Sequence, residues 1–150
     1  MVTTEQIKAL REKTGISIAE CKKALEAAGG DEAKALEILG ERSAVMAEKK
    51  SDRELAAGVV SAYIHGGSVG ALLDIRCETD FVSKNPDFRA IADDLSMQVA
   101  AMMPTDVAEL LSQPFIKDGD KTVSDIVKGA SQKFGERVDI VRFVRFDIAD

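Results

Sequence analysis

The residue types that most often carry catalysis occur around His65 and Cys77. A cysteine nucleophile needs a nearby base and a group that orients this base, so His65, Cys77 and Glu78 could form a thiol hydrolase site. Cys77, however, falls on the apolar side of an alternating segment, where a buried thiol has a raised pKa and is inert. We therefore predict that Cys77 is a core residue. His65, beside a glycine turn, is predicted to be an exposed or capping side chain.

Three carboxylates, Glu78, Asp80 and Asp87, lie in or near the same segment and could supply oxygen ligands to a cation. Their spacing lacks the pattern of a calcium-binding loop, and a single histidine excludes a site built from several histidines. The glycine pairs lie at turns and helix ends rather than in a phosphate-binding loop. The residues thus predict no metal site, no cofactor and no catalytic group.

The segment CETDFVSKNPDF places two large apolar residues in a polar stretch. Residues 70–78 alternate between apolar and polar, which predicts a strand, and the Asn-Pro pair that follows predicts the start of a helix. Residues 79–84 are then a strand-to-helix loop. Its two apolar side chains, Phe81 and Val82, either fold back onto the sheet edge or are held outward as an anchor for another protein. The residues leave this choice open.

Composition predicts a soluble globular protein of one compact domain, or of one domain with a small satellite. The chain has 150 residues, of which 45% are hydrophobic and 31% charged, and a net charge of −6. This acidic balance gives no electrostatic support for nucleic-acid binding, which depends on clustered Lys and Arg. No apolar run approaches the ~18 residues of a membrane span, and the N-terminus lacks a signal-peptide core. We therefore expect a cytoplasmic protein that binds neither nucleic acid nor membranes.

Residues 1–42 predict a module of three short helices. Capping patterns at Thr3 and Ser17 start the first two helices, and a Gly-Gly pair ends the second. The expected apolar stripes of the second and third helices are Ile18, Cys21, Leu25 and Ala28, and Ala33, Leu36 and Leu39. Residues 43–55, rich in Ala, Glu, Lys and Ser, predict an exposed linker that could itself be helical.

Residues 56–150 predict an α+β core in which a three-stranded antiparallel sheet packs against helices. Two strands form a hairpin around Gly-Gly-Ser, and the helix that begins near Pro86 carries an apolar stripe toward the sheet. A further helix begins at Thr122, and residues 138–148 form the final strand.

Both faces of this final strand are partly apolar. Strict alternation divides it into Ile140, Arg142, Val144 and Phe146 on one face and Asp139, Val141, Phe143 and Arg145 on the other. A sheet with one wet face shows cleaner alternation, so we expect something to cover the second face.

Two long segments make the chain recognisable. TGISIAECKKALEAAGGD and YIHGGSVGALLDIRCETDFVSKN resemble the two signature segments of bacterial elongation factor Ts. The Gln-Pro-Phe and Val-Arg-Phe-Val-Arg-Phe stretches resemble the closing part of that family. Two long motifs in the right order are far more specific than a short pattern. The chain is therefore identified as a member of the short, single-core form.

The resemblance implies a guanine-nucleotide exchange factor for elongation factor Tu, the GTPase that delivers aminoacyl-tRNA, and no covalent catalysis. The N-terminal module is then similar to ubiquitin-associated (UBA) domains and docks on the GTP-binding domain of elongation factor Tu. The family's Thr-Asp-Phe-Val segment intrudes near the magnesium ion of the nucleotide, and it corresponds here to Thr79, Asp80, Phe81 and Val82. The other implied partner contacts are His65, Leu10, Ile18, Ala19, Lys22 and Lys23.

The sequence also departs from the family pattern. The link from Met103 to Gln113 is short, so an arm that contacts the partner's distal domains is expected to be absent. Ile18 and Ala19 replace a frequent methionine pair, with Glu20 in place of Asp, which predicts weaker docking by the module. A single core and a doubly apolar final strand predict a homodimer through the sheets. The alternative function is a small protein-binding adaptor without exchange activity.

Overall fold

The computed structural model describes residues 1–50 and 52–150, with side chains described at all of these positions except 43, 44 and 46–50. Its helices are α1 Thr4–Thr14, α2 Ile18–Ala27, α3 Glu32–Lys50, α4 Asp80–Ser83, α5 Pro86–Met102, α6 Val107–Ser112 and α7 Val123–Phe134. Its strands are β1 Ala57–His65, β2 Val69–Cys77, β3 Pro114–Phe115, β4 Asp118–Thr122 and β5 Asp139–Asp147. The predicted α+β class is confirmed.

Helices α1, α2 and α3 surround a small core of their own. The Thr3 side chain forms a capping box with Gln6 at the start of α1, and Ser17 accepts a hydrogen bond from the Glu20 N–H at the start of α2. Both start patterns are thus confirmed. The core side chains are Leu10, Cys21, Ala24, Leu25, Ala35 and Leu39.

The apolar stripes expected on α2 and α3 are partly wrong. Ala33 and Leu36 are exposed, whereas Ala35 and Leu39 are the core-facing positions of α3. Both sets fit a helical repeat, and packing against α1 and α2 decides between them. Ile18, in the first turn of α2, is also exposed rather than packed.

Helix α3 continues beyond the three-helix module. It runs to Lys50, so residues 43–50 of the predicted linker are helical, as their content of good helix formers allows. The domain boundary near residue 42 therefore falls inside one helix and stays a prediction. Ser51, also in that linker, lies outside the described residues.

The larger sheet has the order β1-β2-β5, and both pairs are antiparallel, as predicted. Gly66 and Gly67 turn the β1–β2 hairpin in the left-handed region, with φ of 56° and 71°, which glycine adopts without steric cost. Helices α5 and α7 contribute to the main core under this sheet. The inward residues of β2 are those that alternation predicted, namely Ala71, Leu73, Ile75 and Cys77.

A β-bulge changes the faces of β5. The register moves from Asp74 opposite Arg142 to Ile75 opposite Ile140, so Val141 is the extra residue. Strict alternation along the strand was therefore a wrong assumption. Ile140 is buried, Phe143 packs partly against the main core, and Arg142, Val144 and Phe146 are exposed on the outer face.

Between α5 and α7 the chain contains more structure than the predicted polar link. Helix α6 begins at its N-cap Asp106 and buries Leu110, and the short β3–β4 pair follows. The fully buried Gln98 of α5 donates to the Pro114 carbonyl at 3.0 Å and accepts from the Ile116 N–H at 2.8 Å. One long-range polar side chain thus fixes this segment on the core.

Candidate functional site

The segment after β2 exposes Phe81 to solvent and buries the next residue, Val82, in the core. Phe81 is 90% exposed, whereas Val82 is 7% exposed and belongs to the main core. Residues 80–83 form the one-turn helix α4 rather than an irregular loop. Because successive residues of a helix lie about 100° apart, one turn can anchor Val82 and still hold the ring of Phe81 in solvent.

Backbone hydrogen bonds close this turn and lead into the next helix. The Ser83 N–H donates to the Thr79 carbonyl at 3.2 Å, and the Lys84 N–H donates to the Asp80 carbonyl at 3.0 Å. Asn85 then caps α5 by accepting from the Asp87 N–H at 2.8 Å, as its Asn-Pro pattern predicted. The Phe81 turn is therefore fixed on its C-terminal side.

Its N-terminal side is fixed by a residue that the sequence did not indicate. The Glu136 carboxylate, just after α7, accepts from the N–H groups of Glu78 and Thr79, both at 3.0 Å, and from the Thr79 hydroxyl at 2.6 Å. In return, the Glu78 carboxylate accepts from the Arg137 N–H at 2.5 Å. We call these four residues the carboxylate clasp. A lone glutamate after a helix-ending glycine gives no local signal for a contact almost sixty positions away.

Cys77 lies in the core beside the clasp. Its side chain is fully buried and its thiol donates to the Thr79 carbonyl at 3.4 Å. Burial raises the pKa of the Cys77 thiol, and the negative charge of Glu136 raises it further. A neutral buried thiol is a poor nucleophile, which agrees with the predicted core role.

His65 lies at the opposite end of the β1–β2 hairpin. It pairs with Val69, whereas Cys77 pairs with Ala57, so the two residues are separated by the length of a nine-residue strand, about 26 Å at ~3.3 Å per residue. The exposed His65 ring contacts the Tyr63 hydroxyl through Nδ1 at 3.0 Å. The structure therefore does not bring His65 together with Cys77 or with the Phe81 turn.

Two of the three carboxylates near the turn have separate partners. Asp80 is exposed beside Phe81, Asp87 forms an ion pair with Lys133 at 2.9 Å, and Glu78 belongs to the clasp. Among the side chains that the structure describes, no group of three or more potential metal ligands comes together.

The candidate contacts of the N-terminal module divide into one core residue and a surface group. Leu10 is fully buried and offers no surface to a partner in this conformation. Ile18, Ala19, Lys22 and Lys23 are exposed on α2. Lys22 pairs with Glu26, and Lys23 pairs with Glu20.

The outer face of the larger sheet is apolar toward its hairpin end. The register places Ile64, Gly70 and Phe146 in one row and Ala62, Leu72 and Val144 in the next, and the large side chains in these rows are exposed. The following row contains Asp74, which accepts hydrogen bonds from Arg76 and Arg142 at 3.1–3.2 Å. We call the exposed residues Val60, Ile64, Leu72, Val144 and Phe146 the outer apolar face.

Comparison with known proteins places this architecture in one family. The sequence profile described as Elongation factor TS matches residues 78–150, which include the Phe81 turn and the clasp. The elongation factor Ts of Desulforamulus reducens is 38% identical over 195 residues, covering 99% of this chain and 90% of that protein. This chain belongs to the elongation factor Ts family. The family name assigns it to the elongation step of protein synthesis.

Other elongation factor Ts proteins differ in length. The protein of Thermodesulfovibrio yellowstonii is 36% identical over 191 residues, covering 98% of this chain and 96% of the relative. The protein of Clostridium kluyveri is 42% identical over 150 residues, covering 99% of this chain but 49% of the relative. The 191- and 195-residue alignments exceed the 150 residues present here, so those elongation factor Ts proteins contain residues without counterparts in this chain.

In the part of this elongation factor Ts chain that the structure describes, every helix is too short or too polar to span a lipid bilayer.

Proposed function

We propose that this chain is a guanine-nucleotide exchange factor that binds elongation factor Tu carrying GDP and accelerates release of GDP in the cytoplasm. The observation that carries the proposal is the 90% exposure of Phe81 on a turn whose next residue, Val82, is anchored in the core. A large aromatic ring held outward on a fixed turn is suited to docking, because little conformational freedom is lost on binding. The chain itself performs no covalent chemistry in this proposal.

The chemistry of the nucleotide site explains how such a ring can act. Magnesium requires near-ideal octahedral oxygen geometry, so a small displacement of its ligands weakens the binding of GDP. Burial of Phe81 in an apolar crevice beside that site contributes roughly 1.5–3 kcal/mol to the binding free energy of the factor. This contribution is available only when the crevice is open. Binding of the factor and distortion of the nucleotide site are thereby coupled. The coupling is reciprocal, so rebinding of nucleotide expels the factor.

The neighbours of Phe81 have different roles in this proposal. Asp80 is exposed and negatively charged. It has one of two roles: it competes for a contact that a magnesium ligand of the partner makes, or it holds the conformation of the turn. Val82 anchors the turn from the core side. The Thr79 hydroxyl is bound to Glu136, so Thr79 acts by supporting the turn rather than by contacting the partner through this group.

The N-terminal module supplies docking affinity in the proposed complex. Its exposed surface on α2, formed by Ile18, Ala19, Lys22 and Lys23, contacts the GTP-binding domain of the partner, and Leu10 contributes only by maintaining the packing of the module. His65, exposed at the hairpin end, forms a separate contact about one strand length from the Phe81 turn.

A second copy of this chain is the proposed cover of the outer apolar face. Phe146 is 71% exposed there, and two sheets packed face to face bury such side chains at roughly 1.5–3 kcal/mol each. The single core of this chain supports a dimer in which two cores contact through equivalent surfaces. Neither nucleic acid nor membrane is a proposed partner, in keeping with the net charge of −6.

Release of a fluorescent GDP analogue tests the function directly. Substoichiometric amounts of this protein should accelerate release from elongation factor Tu, because an exchange factor turns over. Binding to elongation factor Tu without acceleration would select the adaptor alternative. The same assay with bovine serum albumin in place of the chain gives the background rate.

A further inference from the structure

The Glu136 carboxylate accepts three hydrogen bonds just before the Phe81 turn, although Glu136 lies 55 positions beyond Phe81 in the chain. We propose that Glu136 is a positioning residue for nucleotide exchange: its carboxylate holds the segment that presents Phe81. This inference rests on the proposed exchange function and assigns it a residue outside the Thr-Asp-Phe-Val segment. Glu136 itself is not proposed to touch the partner's nucleotide or magnesium.

The contacts of Glu136 all converge on the point where β2 ends and α4 begins. One carboxylate oxygen accepts from the two consecutive backbone N–H groups of Glu78 and Thr79, and the other accepts from the Thr79 hydroxyl. Three hydrogen bonds to one carboxylate fix both the path of the backbone and the Thr79 side chain. Hydrogen bonds to a charged acceptor are also stronger than those between neutral groups.

The other half of the carboxylate clasp fixes Glu136 in turn. The Glu78 carboxylate accepts from the Arg137 N–H, and the Arg137 guanidinium donates to the Arg53 carbonyl at 2.8 Å and to Asp139 at 2.7 Å. The Glu136 carbonyl accepts from the Ser131 hydroxyl at 2.6 Å. Each loop thus holds the other through a carboxylate, and the Glu78 carboxylate also forms an ion pair with Arg53 at 3.5 Å.

The turn needs this support because it is too short to be stable alone. Nucleation of a helix is unfavourable, and a helix of four residues lacks the additional hydrogen bonds by which longer helices offset this cost. Thr79 is its N-cap, but its hydroxyl is used for Glu136 rather than for a side-chain cap within α4. Glu136 therefore supplies from outside what the turn lacks.

The clasp is separable from the packing of the fold. Cys77 and Val138, which flank its two sides, are both buried in the main core and hold β2 and β5 in place without it. Glu136 is only half-buried. Loss of its carboxylate should therefore loosen residues 78–81, including the start of α4, while the sheet and the other helices persist.

A double-mutant cycle on the full chain tests this role. The variants are Glu136→Ala, Phe81→Ala and their combination, measured by the maximal rate of fluorescent GDP release from elongation factor Tu and by the concentration that gives half that rate. Glu109→Ala is the matched control, because Glu109 also accepts from a threonine hydroxyl, that of Thr105, but on α6. Glu136→Gln keeps a carbonyl oxygen for the two N–H groups and serves as the conservative variant.

If Glu136 acts through Phe81, Glu136→Ala lowers the maximal rate on the order of tenfold and changes the half-saturating concentration little. The same substitution then has no further effect in the Phe81→Ala background, because coupled residues are not additive. Glu136→Gln recovers most of the rate, and Glu109→Ala matches the parent. An unchanged rate in Glu136→Ala, or an equal loss in both backgrounds, overturns the inference.

Amide hydrogen exchange separates this result from a failure of the exchange function itself. Glu136→Ala should increase the exchange rates of the Glu78 and Thr79 amides at least tenfold and leave those inside β2 and α5 unchanged. If Phe81→Ala releases GDP at the parental rate, the proposed insertion of Phe81 beside the nucleotide site is wrong. The positioning role of Glu136 in exchange is then wrong as well. Protection of the Glu78 and Thr79 amides that survives in Glu136→Ala would instead overturn the clasp alone. If Glu136→Ala does not fold, Thr79→Val replaces it in the GDP-release assay, because this substitution exchanges the hydroxyl for a methyl group and removes one of the three hydrogen bonds to Glu136.

Discussion

Phe81 and Val82 are neighbours in the sequence and lie in opposite environments in the fold. The ring of Phe81 projects into solvent, and the side chain of Val82 is packed among core residues. The sequence left open whether each residue packs onto the sheet edge or is held outward. In the structure Val82 is packed and Phe81 is held outward. The difference matters for function because an exposed ring is available to a binding partner, whereas a buried side chain contributes to stability.

Substitution of each residue by alanine should therefore have opposite consequences for stability. Val82→Ala removes buried methyl groups and should lower the free energy of unfolding by about 2 kcal/mol. Phe81→Ala should change it by less than about 0.5 kcal/mol, as expected for a surface position. Urea unfolding followed by circular dichroism measures both values. A larger loss for Phe81→Ala than for Val82→Ala would mean that the ring packs against the fold in solution.

At the scale of single elements, β2 connects the two surfaces that matter most. Its inner face lies on the main core, its C-terminal end leads into the Phe81 turn, and its outer face carries Leu72 and Asp74. Asp74 is buried on that outer face between two arginines, Arg76 and Arg142. This cluster marks the polar border of the outer apolar face.

The Asp74 cluster predicts a contribution to acid stability. Hydrogen bonds from Arg76, followed by its charge and by the contacts of Arg142, hold the pKa of Asp74 below its usual value. A lowered pKa in the folded state stabilises the fold above the unfolded pKa, near ~4, and this stabilisation is lost as pH falls through the folded pKa. Unfolding free energies measured from about pH 7 to about pH 3 should fall less steeply for Asp74→Asn than for the parent. The exposed Asp150→Asn variant should follow the parent curve, and identical curves for all three proteins would refute the contribution of Asp74.

Local patterns predicted most elements, and contacts between distant residues account for what they missed. The caps at Thr3, Ser17 and Asn85 and the alternation along β2 are properties of a few adjacent residues, and they were predicted correctly. The bulge at Val141 depends on pairing with β2, and α6 with β3–β4 depends on the buried Gln98. Such contacts have no signature in a single stretch of sequence.

The same division holds for the candidate site. The exposed aromatic ring was among the sequence predictions as one of two alternatives, and the family resemblance assigned it a role. Glu136 was not predicted, because its partners at residues 78–79 become neighbours only when α7 and β5 pack beside β2. Leu10 was given as a partner contact by resemblance alone, and the structure buries its side chain fully in the core of the module.

In the whole molecule, the outer apolar face and the N-terminal module are two candidate binding surfaces separate from the Phe81 turn. The face lies on the side of the larger sheet opposite the main core, and the module has its own small core. Each surface therefore has a separate test.

The proposed dimer should depend on the outer apolar face. Phe146→Glu places a charge where a second copy would bury an aromatic ring, so it should convert a dimer to a monomer in light scattering at micromolar protein. Ile116→Glu, at an exposed apolar position on the β3–β4 turn, is the matched control and should remain dimeric. A parent protein that has a monomer mass at every concentration would refute the dimer.

Removal of residues 1–42 should separate docking from exchange. The truncated protein should require a higher concentration for half-maximal GDP release, because the module contributes binding surface, and it should retain release at saturation. Titration of the full and truncated chains against elongation factor Tu measures this difference. If the isolated module alone accelerated GDP release, the module rather than the core would be responsible for exchange.

The nucleotide-exchange rate of Phe81→Ala decides whether Phe81 is inserted into elongation factor Tu to expel GDP. Release of a fluorescent GDP analogue is measured with parent and variant at equal concentrations, with melting curves as the control for folding. The variant should release GDP at a rate on the order of tenfold lower, since ~1.4 kcal/mol corresponds to one decade, and its melting curve should be unchanged. A variant that releases GDP at the parental rate would contradict it.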